Sequence, residues 1–179
     1  MRKRLFWWEL WGFLWVAAAG TLLHFAYGWS GDSAAVAVFA AVNESVWEHM
    51  KLLVMPAFLF TAVQVWVMGE IYPNLPAVRA VTIPLGALAI PVLYYTYTGA
   101  LGVQAAWVNI AIFFFAVAGM FWLDYRLLRT GLPVSGCGQL LSVVFLWGLV
   151  FAFVWCTFRP PELPLWQDPV SGTFGVALP

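Results

Sequence analysis

Charge is scarce in this sequence: only 9% of its 179 residues are Asp, Glu, Lys or Arg, against about a quarter in an ordinary soluble domain. That scarcity excludes a soluble globular domain, and an 18% aromatic share excludes a disordered chain. Eight basic residues balance eight acidic ones, so no charge excess points to nucleic acid. Cysteine is almost missing. Cys137 and Cys156 stand alone, without CxxC or Cys/His spacing, which argues against a disulfide framework and a structural zinc site. The chain also lacks HExxH, a serine elbow and a phosphatase pattern.

Apolar sequence is abundant: 64% of the residues are hydrophobic, with 12 Trp, 15 Phe and 6 Tyr. A helix needs about 20 apolar residues to cross a bilayer. The runs at about 5–28, 50–72, 78–99, 103–123 and 139–158 meet that requirement, and predict five transmembrane helices in one membrane domain, 1–179. The expected class is an all-α polytopic helical membrane bundle. The N-terminus has a basic start and small residues at Ala17 to Ala19, as a signal peptide would. Glu9 interrupts its apolar run, however, and the run continues to Tyr27, so a retained first helix is expected.

Residues 34–42 are apolar but too short to cross. They read as a re-entrant or interfacial outer helix, or as an extension of the second span. The tail 159–179 carries four prolines among its first eleven residues and cannot be a crossing helix. Its mixture of Leu, Pro and Trp predicts that it folds back over the outer mouth of the bundle. With the N-terminus inside, Arg2, Lys3, Arg4, Arg79, Arg126 and Arg129 lie inside, and Lys51 and Arg159 outside. This bias places the C-terminus and segment 29–49 outside. Glu70, Arg79, Asp124, Arg126 and Arg129 then read as topology signals at span ends, and Gln64 as an interhelical hydrogen-bonding residue.

Ionisable residues in apolar sequence are costly and tend to face a cavity or a partner. The segment VNESVWEHMK, 42–51, concentrates them. Asn43 fits an N-cap with Glu44 in the first turn, and helical spacing puts Glu44, Glu48 and Lys51 on one face with Ser45 and His49 beside it. His24, the other histidine, falls at the same depth. Tyr94, Tyr95, Tyr97, Gln104 and Asn109 are expected on the same side, as an interfacial belt or as part of a site. The candidate catalytic residues are Glu48, His49 and Glu44, with a carboxylate as general base. Asn43, Ser45, Lys51, Arg159 and Asp168 are candidate ligand-binding residues. His24, His49 and Glu48 are the candidate ligands of a divalent metal.

His24-Phe25, the block Asn43-Glu44-Ser45-x-Trp47-Glu48-His49-x-Lys51, and Thr157-Phe158-Arg159-Pro160-Pro161 followed by Asp168-Pro169 and Phe174-Gly175 form a pattern. It resembles a domain-of-unknown-function family of small bacterial multi-pass membrane proteins. The resemblance implies a bacterial cytoplasmic-membrane protein and no particular activity. Three function classes stay open: a ligand-binding, metal-binding or hydrolytic pocket, an assembly or partner-docking component, and a path for a small solute or protons. The bilayer is the expected partner, and nucleic acid is not.

Overall fold

The computed structural model describes residues 2–176; Met1 and the last three residues of the expected 159–179 tail lie outside them. The described residues form six helices: α1 (Arg2–Trp29), α2 (Ala34–Ala37), α3 (Val46–Met68), α4 (Leu75–Leu101), α5 (Ala106–Leu128) and α6 (Gly136–Phe158). The five long ones are apolar and long enough to cross a membrane. At about 1.5 Å per residue, even a 23-residue helix such as α3 reaches across about 34 Å. Helices α1, α3, α4 and α5 pack as a closed ring, and α6 leans on the α3/α4 side. Accordingly α3 is the most buried of the five and α6 the least.

The chain alternates between two ends of the bundle. The motif end collects the end of α1, the segment 30–45, the start of α3, the α4–α5 turn and the tail. The opposite end collects the starts of α1, α4 and α6 with the ends of α3 and α5. Between them lies a dry core of Val16, Leu53, Val54, Ala57, Ile83, Ala87, Val117 and Met120. Outward-facing Trp66, Trp107, Phe115 and Trp147 give the bundle an apolar exterior, the arrangement a bilayer requires.

Prolines inside α3 and α4 are absorbed without ending either helix. Pro56 has no N–H, so the carbonyl of Leu52, one turn earlier, has no intrahelical partner there. Helix α1 closes on that point. A side chain carbon added to Gly20 would lie 2.7 Å from the Leu52 carbonyl oxygen and 2.6 Å from the Phe113 ring, and the Trp15 indole donates to the Pro56 carbonyl at 3.2 Å. Gly20→Ala is therefore expected to cost about 1–3 kcal/mol through overpacking. Thermal unfolding in detergent measures this, with Gly28→Ala, which has nothing within 4 Å, as the unchanged control.

The start of α3 differs from the sequence expectation. Asn43 is not the cap, and Glu44 is not in the first turn. Ser45 caps the helix, its hydroxyl accepting from the Glu48 N–H at 3.3 Å, and Glu48 is the first-turn acid. The Ser45-x-x-Glu48 spacing is the pattern of a capping box, a signal outweighed on paper by the polar run ahead of it. Asn43 closes the preceding turn instead, its Oδ1 accepting from the Ser45 N–H at 3.0 Å. Residues 34–42 do not extend α3. A single helical turn, Ala34–Ala37, is followed by irregular chain in which Ala40 is buried like Ala37, and the Ala41 N–H bonds the Leu23 carbonyl of α1.

Candidate functional site

The motif at the start of α3 divides into two sets of side chains with different surroundings. Glu48 and Lys51 point inward and form a buried ion pair of 2.5 Å. The ammonium also donates to the Ala37 carbonyl at 2.9 Å and the Thr157 hydroxyl at 2.8 Å, which occupies its three donors. Glu48 accepts from Thr157 at 2.8 Å and from the Val42 N–H at 3.2 Å. One network thus joins α2, the turn before α3, α3 and the end of α6. Thr157 is the member that sequence reading missed; it lies 106 positions from Lys51, and only the packing of α6 on α3 brings the two together.

Glu44, His24 and His49 face outward. The Glu44 carboxylate lies 3.6 Å from Nε2 of His49 and 3.8 Å from Nε2 of His24. The two imidazole rings meet edge to face at 5.1 Å. One ligand atom from each of the three residues falls within 4.8 Å of the others. A tetrahedral metal with bonds of about 2.1 Å sets its ligand atoms about 3.4 Å apart, so small side chain rotations complete such a site. His49 is also oriented: Nδ1 lies 2.9 Å from the Ser45 carbonyl. A carbonyl only accepts, so Nδ1 carries the proton, and Nε2 of the neutral ring presents its lone pair towards Glu44.

The tail anchors this arrangement. The Trp47 N–H donates to the Leu165 carbonyl at 3.0 Å, and the Val176 N–H to that of Thr157. The Trp47 ring stacks on Phe153 at 4.2 Å and meets Trp166 at 4.8 Å. Asn43 Nδ2 donates to the carbonyl of Gly175, a residue with positive φ where an added Cβ would lie 2.4 Å from the Thr157 carbonyl oxygen. Asp168 does not touch the histidines. Its burial would raise its pKa, but the Val170 N–H, the Ser171 hydroxyl and the backbone N–H groups of Ser171 and Glu44 outweigh this and hold it below the usual carboxylate range. Asp168 thus closes the turn of the tail at Val170 and Ser171. Arg159 turns outward over the Trp155 ring at 6.0 Å. The tyrosines serve the α4–α5 turn and the tail: Tyr97 donates to Asn109, Gln104 to Tyr94, and Tyr95 to the Pro164 carbonyl.

The sequence model of a family described only as being of unknown function, DUF6512, matches residues 2–176. The chain belongs to DUF6512. No curated protein and no solved structure matches it.

A second polar cluster in this DUF6512 protein occupies the opposite end of the bundle, and gives Arg79 and Asp124, read from the sequence only as topology signals at span ends, a structural role. Both are fully buried. Arg79 forms a short hydrogen-bonded ion pair with Asp124, donates to Glu9 at 3.1 Å and to Gln64 Oε1 at 2.6 Å, and lies 4.6 Å from the centre of the Phe121 ring. Gln64 donates to Glu9 at 2.6 Å and Thr82 to Asp124 at 2.5 Å. Gln64 is the interhelical hydrogen-bonding residue expected of it. One guanidinium with two neutral donors satisfies two carboxylates, and ties together α1, α3, α4 and α5, the four helices of the ring.

Proposed function

We propose that this DUF6512 protein binds a divalent transition metal ion through Nε2 of His24, Nε2 of His49 and the carboxylate of Glu44. The convergence of those three ligand atoms carries the reading. The Ser45 carbonyl behind His49 supports it, because metal-binding imidazoles are held by a hydrogen bond at the other ring nitrogen. Two imidazoles and a carboxylate suit zinc and its neighbours rather than calcium or magnesium, which prefer an all-oxygen shell. Three protein ligands leave a position for water or a bound molecule, and the half-exposed Glu44 side chain puts that position at the surface.

In this reading the protein sits in a bacterial cytoplasmic membrane with its N-terminus inside, so the metal is presented on the outer face. Metal binding is favoured over hydrolysis. Glu48, the candidate general base, is committed to Lys51 and Thr157, and Glu44 is used as a ligand. A transport path is disfavoured because Leu53, Val54, Ala57 and Phe60 fill the core for about 20 Å along α3 between Lys51 and Gln64.

Elemental analysis of detergent-purified protein after incubation with Zn²⁺ and removal of the excess tests the proposal. About one ion per chain is expected, with His24→Ala and His49→Ala losing it at unchanged thermal stability. A metal-free wild type, or equal metal in the variants, overturns the assignment.

A further inference from the structure

The opposite end of the bundle carries a cleft of about 560 Å³ between the α3–α4 and α5–α6 connections. Leu128, Leu132 and Pro133 give it apolar walls, and Asn74, Arg129 and Gln139 line it with polar groups. Asn74 is 4% exposed and stands at the N-cap of α4, yet its side chain makes no capping bond. Its amide nitrogen is buried without a partner, and so is Oε1 of Gln139, in the first turn of α6. A buried polar atom left unpaired costs about 1–3 kcal/mol. Two such atoms, one a donor and the other an acceptor, belong to residues that line one cleft, Asn74 before α4 and Gln139 in α6, and call for a ligand that would pair them.

The ligand follows from this lining. The Arg129 guanidinium and the Asn74 N–H offer donors to an anionic phosphate. Gln139 Oε1 requires a donor from the ligand. No Asp or Glu lines the cleft, so a ligand ammonium would have no countercharge and would face Arg129, whereas a hydroxyl meets neither obstacle. The apolar walls lie where α5 ends and α6 begins, at the ends of two helices long and apolar enough to cross a membrane, where a lipid's glycerol backbone would give way to its chains. We propose that this cleft binds the headgroup of an anionic phospholipid bearing a free hydroxyl, phosphate to Arg129 and Asn74 and hydroxyl to Gln139. The site is separate from the histidine cluster and does not depend on the metal reading.

Native mass spectrometry of the full chain in a non-ionic detergent, titrated with phosphatidylglycerol or phosphatidylethanolamine, tests this. Preferential retention of phosphatidylglycerol is expected, weakened about tenfold by Asn74→Leu and by Arg129→Gln, the effect of losing one charge-assisted hydrogen bond. Arg129 is exposed, so its variant keeps the test valid even if Asn74→Leu fails to fold. Equal retention of the two lipids, or undiminished phosphatidylglycerol binding in Arg129→Gln, overturns the site. Displacement of the lipid by glycerol 1-phosphate at matched concentration overturns the lipid assignment in favour of a water-soluble phosphate compound.

Discussion

Arg79→Met is expected to prevent accumulation of the folded protein. The substitution keeps the side chain's bulk but removes the donor that holds Asp124 and Glu9, two buried carboxylates on different helices. Breaking a buried pair in this way costs about 3–5 kcal/mol, a large part of the roughly 5–15 kcal/mol that stabilises a typical protein. Here one donor serves both acids, so the loss lies at or above the upper figure. Arg79→Lys is expected to fall between, because an ammonium lacks the planar fork that reaches Asp124, Glu9 and Gln64 together. The triple variant Glu9→Gln, Arg79→Met, Asp124→Asn removes the charges together and is expected to recover much of the expression lost in Arg79→Met, as it leaves no unpaired ion. Size-exclusion profiles and melting curves in detergent read all three. A wild-type melting temperature in Arg79→Met would mean that the four-helix ring does not rely on this cluster.

The five spans were legible because each apolar run exceeds the length that a bilayer demands. Their ends were less so. Hydropathy places the start of the second span at Met50, because Glu48 and His49 count against it; the helix begins at Val46, capped by Ser45, and Glu48 pairs with Lys51 inside the protein. The histidines were legible as a pair from their common depth. The carboxylate that joins them was misplaced, since helical spacing was extended back to Glu44, which precedes the helix and takes its direction from the turn at Asn43. The cluster around Arg79 was hidden for another reason. Glu9, Arg79 and Asp124 each look like an isolated charge near a span end and Gln64 like a lone mid-span amide, and 70 positions separate Glu9 from Arg79. Only knowledge of which helices are neighbours in the ring reveals one site rather than four separate polar residues.

Lys51→Met is expected to be the most damaging change at the motif end, and its consequences separate the two sets of motif side chains. It strands the Glu48 carboxylate among the Thr157 hydroxyl and the Val42 N–H, with no cation in reach, at a cost of about 3–5 kcal/mol. Glu48→Gln keeps a side chain able to accept from Thr157 but leaves the ammonium buried without its counterion, so a loss of similar size is expected. The double variant Glu48→Gln, Lys51→Met removes both charges and is expected to be more stable than either single one. Recovery stays incomplete, because the Ala37 carbonyl loses its donor. Limited proteolysis adds a readout specific to this site: Thr157 also accepts the Val176 N–H through its carbonyl, so the tail is expected to become cleavable in the single variants before the bundle unfolds. His24→Ala and Glu44→Gln, at half-exposed positions, are expected to leave both melting and proteolysis unchanged while removing metal. If Lys51→Met melts like wild type, the buried pair is not what holds the tail and segment 37–45 in place. If His24→Ala instead destabilises as strongly as Lys51→Met, the outward-facing residues are structural, and the division of the motif into an anchoring and a metal-binding set fails.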